Sequence, residues 1–112
     1  MKLRRWDLVF VPIDEKDTVG HPAVILSPED ILEDDRRQKI NVLIGTKRVP
    51  AAAIRSHQVL LNGADGLDFQ TILDCSFVYV VRKAAILRPA GVVGVYRRQE
   101  IQRKVRSFLG LS

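Results

Sequence analysis

The chain of 112 residues has one cysteine and no long uncharged apolar run. A lone cysteine, Cys75, cannot form an internal disulfide or a zinc site, so we expect a reducing, cytoplasmic compartment. No stretch approaches the roughly 20 apolar residues of a membrane-spanning helix. The basic start from Met1 to Arg5 resembles that of a secretory signal peptide, but Asp7 interrupts it, and the apolar run from Leu8 to Ile13 is too short for one. These features argue against a disulfide-stapled, secreted or membrane-embedded protein.

Basic residues outnumber acidic ones. The 18 Lys and Arg against 13 Asp and Glu give a formal net charge of +5, and the pI is about 9.8. Such a surface attracts polyanions, whether nucleic acid, acidic protein segments or anionic lipid. The charge alone does not choose among them, and a basic but inert surface is an alternative. The length suits a single domain over residues 1–112.

Short β-prone segments separated by turns dominate the sequence. Branched and aromatic residues predict strands at 7–13, 22–26, 39–45, 57–61 and 71–81. We expect Pro89-Ala90-Gly91 to break the chain again. All-β chains of this size must close their sheets or cover the edges. The sequence therefore predicts a mainly β fold, a small antiparallel barrel of five to seven strands with attached helices.

Two helices are expected. Ser27 as N-cap and Pro28 at the first helical position predict a short one. The second is an amphipathic helix at the C-terminus, where apolar residues recur at i, i+4, i+7 and i+8 and Gly110 ends the pattern. Its apolar stripe consists of Ile101, Val105, Phe108 and Leu109. We expect this helix to cover the core first and to present its cations to a polyanion only second.

Two places in the sequence could carry chemistry. His21 stands at the start of the second predicted strand, and an imidazole can act as acid or base near neutral pH. An inert loop histidine is the alternative. Thr46, Lys47 and Arg48 place a hydroxyl and two cations at a strand end, which suits phosphate binding, although a solvated turn would look the same. Alternation along 71–81 predicts that Asp74 shares a face with Ser76, and that Leu73, Cys75, Phe77 and Tyr79 share the other.

With its elements in this order, nearly the whole chain resembles the PemK/MazF family of bacterial toxins from toxin–antitoxin pairs. The segments that carry the resemblance are RRWDLVFVPID, HPAVILSP, NVLIGTKR, ILDCSFVYVVRKAAIL and the final FLGLS. The resemblance implies a homodimer of small β-barrels that cuts single-stranded RNA without metal or cofactor. It also implies an acidic antitoxin protein that silences the toxin.

The resemblance also assigns roles to residues. His21 falls where the family carries a functional arginine, or on a histidine that some members carry in the preceding loop. Thr46 falls on the hydroxyl that contacts the scissile phosphate. Asp74 and Ser76 fall where some members have catalytic Arg and Asp, so these two are departures from the pattern. The catalytic candidates are therefore His21, Thr46, Asp74 and Ser76, with Asp74 as a possible base for a protonated His21. Lys47 and Arg48 are the nucleic-acid-binding candidates.

Metal-free RNA cleavage needs only a few polar groups, because the substrate brings its own 2′-hydroxyl nucleophile. A base must take the 2′-hydroxyl proton, an acid must protonate the leaving 5′-oxygen, and donors must stabilise the phosphorane. Two other functions remain open. One is a non-catalytic member that uses the barrel to bind nucleic acid or an acidic partner, which Asp74 and Ser76 favour. The other is a gyrase-poison-like toxin on the same barrel. His21 and Thr46 favour the nuclease.

Overall fold

A computed structural model describes residues 2–47 and 53–111, which form seven β-strands, two α-helices and two short 3₁₀ turns. The strands are β1 Asp7–Val11, β2 His21–Ile25, β3 Lys39–Lys47, β4 Gln58–Leu61, β5 Thr71–Asp74, β6 Tyr79–Arg82 and β7 Arg88–Val92. The helices are α1 Glu29–Glu33 and α2 Val95–Phe108, and the 3₁₀ turns are Gly63–Asp65 and Lys83–Ala85. The mainly β prediction is confirmed.

The strands form one antiparallel sheet in the order β4-β5-β3-β2-β1-β7, and β6 also pairs with β3. The long strand β3 is the centre of this arrangement, since β6 runs beside residues 39–42 and β5 beside residues 45–47. The sheet curls into a half-barrel, and α2 is the C-terminal helix of the chain. The described helices include none that is long and apolar enough to cross a membrane.

Both faces of the sheet are apolar, because alternate residues of the central strands are buried on opposite sides. We call one side the α2 face. It packs Ile101 of α2 onto Leu8, Val24, Leu43, Val59, Leu61 and Leu73. The other side is the α1 face, where Leu32 of α1 packs with Val9, Val11, Ala23, Ile25, Ile40 and Val42. The curled sheet therefore separates two cores.

Two local predictions were wrong. Ser27 does not cap α1, since Pro28 occupies the N-cap position and makes no side-chain cap hydrogen bond. Instead, the Ser27 hydroxyl accepts a hydrogen bond from the Asn41 N–H of β3 at 2.9 Å. Pro89, Ala90 and Gly91 lie inside β7 rather than in a break. Because β7 is the last strand of the sheet, a missing proline N–H is tolerated there.

The long β-run predicted over 71–81 is interrupted. Leu73 pairs with Gly45 and Tyr79 with Val42, so five residues, 74–78, face only residues 43–44 of β3. Leu73 and Cys75 are buried, whereas Phe77 is 57% and Tyr79 40% exposed. The prediction that these four residues share one face was therefore wrong beyond Cys75. The cause is local: the Asp74 carboxylate accepts hydrogen bonds from Ser76, which turns the chain out of the strand.

The predicted end of the C-terminal helix is confirmed, whereas its predicted apolar stripe is buried only in part. Gly110 has a φ of +73°, and its N–H donates to the Ser107 carbonyl, while Leu111 N–H donates to Arg106. This is a Schellman motif, as the glycine predicted. Ile101 is buried, but Phe108 is 45% exposed. The apolar stripe thus leaves the core before the helix ends.

Candidate functional site

The sheet register brings three of the predicted catalytic residues to one face. Ala23 pairs with Ile44 between β2 and β3, and this register continued by two residues puts His21 opposite Thr46. Thr46 pairs in turn with Ile72 of β5. Opposed side chains point to the same side of a sheet, and so does every second residue along a strand. His21, Thr46 and Asp74 therefore share the α1 face across three neighbouring strands.

His21 has an acidic partner that precedes it by four residues. Its Nδ1 lies 3.1 Å from Oδ2 of Asp17, and the two side chains are 31% and 13% exposed. The Asp17 carboxylate also accepts hydrogen bonds from the N–H groups of Gly20, at 2.8 Å, and Ile13, at 3.0 Å. These two backbone bonds, and then His21, hold the pKa of Asp17 below its ordinary value.

Sequence reasoning missed Asp17. The residue lies in the loop between β1 and β2, where acidic residues are ordinary, and its role depends on how that loop closes. The signal was present in the pattern D-x-x-G-H, because Asp side chains commonly bind backbone N–H groups a few residues on. Gly20 has a φ of +87°, which favours glycine and lets the chain turn back into β2.

Thr46 and Lys47 lie on opposite faces of the sheet. Consecutive strand residues point to opposite faces, so Thr46 lies on the α1 face and Lys47 on the α2 face. The ammonium of Lys47 lies 5.4 Å from the centre of the Phe69 ring, in cation–π range. The hydroxyl and the first cation of the expected cluster are therefore separated by the sheet. Arg48 lies outside the described residues.

Asp74 and Ser76 hydrogen-bond to each other. Oδ1 of Asp74 accepts from the N–H of Ser76 at 2.8 Å and from its hydroxyl at 2.6 Å. Neighbouring strands are about 4.8 Å apart, so β5 and β2 are separated by roughly twice that distance. Within the described part of the chain, the imidazole of His21 is paired with Asp17. The pairing of His21 with Asp74 that the sequence suggested is not what the structure shows.

The fold is shared with known proteins, although no protein-family profile and no curated protein sequence matches the chain. An endoribonuclease in complex with its cognate antitoxin from Mycobacterial species superimposes with a TM-score of 0.77 at 14% identity, covering 99% of this chain and 96% of that chain. The chain has the MazF toxin fold. Mycobacterium tuberculosis toxin MazF-mt6 gives 0.76 at 14% identity, covering 95% and 98%. MazE-MazF from Deinococcus radiodurans gives 0.77 at 17%, with both chains fully covered.

On this MazF fold, the one cysteine belongs to the core. Cys75 is fully buried, and burial raises the pKa of its thiol to about 12. A thiol that stays protonated is a poor nucleophile, so Cys75 packs as a small apolar side chain, as predicted. Within residues 2–47 and 53–111, no three His, Cys, Asp or Glu side chains come together as a metal site would require.

Proposed function

We propose that this protein is the toxin of a type II toxin–antitoxin pair and cleaves single-stranded RNA without a metal ion or other cofactor. The observation that carries the proposal is the His21–Asp17 pair. It lies at an exposed margin of a MazF-type sheet, on the same face as the Thr46 hydroxyl. The solved structures with this fold include an endoribonuclease and MazE-MazF complexes, which supports the same chemistry here.

In the proposed reaction, His21 takes the proton of the ribose 2′-hydroxyl at Nε2. The 2′-oxygen then forms a bond to phosphorus, and the bond from phosphorus to the 5′-oxygen breaks. The leaving 5′-oxygen takes a proton from water, and the imidazolium returns its proton to solvent. The products are a 2′,3′-cyclic phosphate and a 5′-hydroxyl end. Thr46 donates a hydrogen bond to the phosphate, where negative charge accumulates in the transition state.

The remaining candidates bind the substrate in this proposal. Asp74 and Ser76 contact a neighbouring ribose, because Ser76 occupies one carboxylate oxygen of Asp74 and leaves the other to accept from a sugar hydroxyl. Lys47 and Arg48 attract the phosphate backbone from the end of β3. Neither cation performs a proton transfer.

We also propose that the protein is a homodimer joined through β6. The N–H of Lys83 donates to the Gln38 carbonyl, and hydrogen-bonded pairs alternate along an antiparallel ladder. The backbone groups of Val80 and Arg82 therefore point away from β3. Val80 is 62% exposed, and β6 pairs with no described strand except β3. An open apolar strand edge is a ready template for a second copy.

The open edge has a direct test. Sedimentation velocity of the wild type should show a dimer. Val80→Lys should give a monomer, because it places two like charges across the proposed β6–β6 contact. Val19→Lys is the matched control, since Val19 is 68% exposed in the loop between β1 and β2. A wild type that sediments as a monomer at high micromolar concentration would contradict the dimer.

The proposed inhibitor is an acidic antitoxin protein acting in the cytoplasm, where its target RNA is. The net charge of +5 favours an acidic chain over a neutral one. Because the attraction is electrostatic, binding should weaken as salt is added. A gene for a short acidic protein beside the gene for this chain would support the pairing.

The function is tested by incubating the purified protein with a mixed-sequence single-stranded RNA in EDTA and identifying the product ends. We expect cleavage to cyclic phosphate ends. Activity should fall about a hundredfold or more in His21→Ala, the scale of losing an acid–base group. It should fall between about tenfold and a hundredfold in Thr46→Val, which removes the hydroxyl and keeps the shape.

His57→Ala is the matched control, because His57 lies just before β4 and packs edge-to-face on Phe108. This variant should cleave RNA as the wild type does. Intact RNA with the wild-type protein would overturn the nuclease. It would favour a binding module that retains the barrel and has lost the chemistry.

A further inference from the structure

We propose that Asp17 is a positioning residue for His21 and that it fixes which imidazole nitrogen carries the proton. The inference rests on the proposed function, since it concerns the base of that reaction. The contact between the two residues, 3.1 Å from Nδ1 to Oδ2, is the link that the sequence did not reveal.

The tautomer follows from the chemistry of the partner. An ionised carboxylate has no proton to donate and can only accept. Nδ1 of the neutral imidazole must therefore carry the hydrogen when it bonds to Asp17. The unprotonated nitrogen is then Nε2, which has no hydrogen-bond partner among the described residues, and the His21 side chain is 31% exposed. An unprotonated nitrogen on a partly exposed ring, on the same face of the sheet as Thr46, is what a general base requires.

The carboxylate is oriented independently of the histidine. Oδ1 of Asp17 is held by the N–H of Gly20 and Oδ2 by that of Ile13. Because each oxygen has its own backbone donor, the orientation of the carboxylate is fixed at both ends. A group whose own orientation is set by neighbouring bonds can hold a catalytic side chain more precisely than a free one.

The loop that carries Asp17 is itself attached to β7. The guanidinium of Arg88 donates to the Val19 carbonyl at 2.9 Å and lies 4.1 Å from the centre of the Phe10 ring. A Cβ at Gly20 would lie 2.9 Å from Cδ1 of Leu87 and 3.1 Å from Cβ of Phe10, so the loop packs closely against β1 and the residue that precedes β7. The end of the loop next to His21 is therefore attached to the sheet before substrate arrives.

The competing role for Asp17 is purely structural: it would hold the loop closed and have no effect on catalysis. Both roles predict some loss of stability when Asp17 is changed, so stability does not distinguish them. The tautomer of His21 distinguishes the two roles, because a purely structural Asp17 needs no particular proton position on the imidazole ring. A second distinguishing readout is kcat, which a positioning residue changes while KM stays constant.

The first measurement is the ¹⁵N spectrum of the histidine rings at about pH 9, above the ordinary histidine pKa. In the wild type, we expect His21 to hold its hydrogen on Nδ1. In Asp17→Asn, the amide can also donate, so the opposite tautomer should gain a large share. Asp14→Asn is the matched control, since Asp14 lies in the same loop and its carboxylate accepts from Lys16 instead. A wild-type His21 with its hydrogen on Nε2 would overturn the proposal, even if the variant did not fold.

The second measurement is steady-state RNA cleavage by the same variants. We expect Asp17→Asn to lower kcat by about tenfold or more, on the scale of losing the partner that orients a working side chain, with KM within about twofold. Asp14→Asn should leave both unchanged. An unchanged kcat in Asp17→Asn would overturn the positioning role. If the wild type cleaves no RNA, the proposed function fails, and the spectrum still decides whether Asp17 sets the tautomer.

Discussion

A buried ion pair between Asp65 and Arg97 should contribute strongly to stability. The Asp65 carboxylate is inaccessible to solvent, and its Oδ2 accepts from Nε of Arg97 at 2.8 Å and from the N–H of Asn62 at 3.0 Å. Oδ1 accepts from the N–H of Gly94 at 2.9 Å. Arg97 also donates to the Leu60 carbonyl. One side chain thus joins the turn after β4 to the first turn of α2.

The informative substitution is Asp65→Asn, which preserves shape and removes charge. An asparagine has one acceptor oxygen, so its NH₂ group must face either Gly94 or the pair of donors at Oδ2. Buried donors are then left without acceptors, and Arg97 keeps a charge without its partner. Breaking a buried pair in this way costs about 3–5 kcal/mol, and because Arg97 is 26% exposed and can be partly rehydrated, we expect a loss at the lower end of that range. A domain of this kind is stable by only about 5–15 kcal/mol, so the loss should be easy to measure.

Urea denaturation followed by circular dichroism gives the free energy of unfolding of both proteins. Glu100→Gln is the control, because Glu100 pairs with Lys104 at 3.4 Å and its side chain is 39% exposed. An exposed pair of this kind is worth less than about 1 kcal/mol. If Asp65→Asn costs no more than Glu100→Gln, the assignment of Asp65 as the anchor of α2 is wrong.

Three further predictions follow from glycine contacts and from titrating groups. A Cβ at Gly91 would lie 2.1 Å from the Asp65 carbonyl oxygen, whereas a Cβ at Gly63 would have open space around it. Gly91→Ala should therefore lower the free energy of unfolding by about 1–3 kcal/mol or more. Gly63→Ala is the control and should leave it nearly unchanged. Because burial raises the pKa of Cys75 to about 12, its alkylation at pH 8 should be about a thousandfold slower than that of a free thiol, and an equal rate in mass spectrometry would contradict this burial. Folding lowers the pKa of Asp17 from 3.8, so its stabilising effect is present above that pH and is lost as pH falls through the lower folded value. The drop in urea midpoint between pH 5 and pH 2 should therefore be smaller in Asp17→Asn, and an equal drop would contradict the assignment.

Much of the sheet could be predicted from local pattern. In β3, Ile40 and Val42 lie on one face as expected, whereas Asn41 is exposed and Leu43 is buried on the other face. Gly110 predicted the end of α2 through its tolerance of positive φ. These features depend on residues close together in sequence, where alternation and turn chemistry apply. The order of such segments predicted a small barrel, and the resemblance to the PemK/MazF family implied the particular architecture.

The site could be predicted only in part, since its geometry depends on contacts between elements. The sequence placed His21 and Thr46 at strand ends, and the sheet register then put them on one face. It did not predict that Asp17 would face His21, because this requires the loop to close through Gly20 and Ile13. Nor did it predict that Asp74 would bond to Ser76 and end β5, because a long β-prone run with alternating faces looks like one strand.

The net charge of +5 overstates the cations that are free to bind RNA. In α2, Arg97 donates to the carbonyl of Leu60, Lys104 to that of Gln58 and Arg98 to that of Val93. Leu60 and Gln58 belong to β4, the strand at one end of the sheet, so the helix covers that edge with its own cations. Binding that used these side chains would have to uncover β4. The salt dependence of RNA affinity should therefore reflect fewer phosphate contacts than the composition suggests.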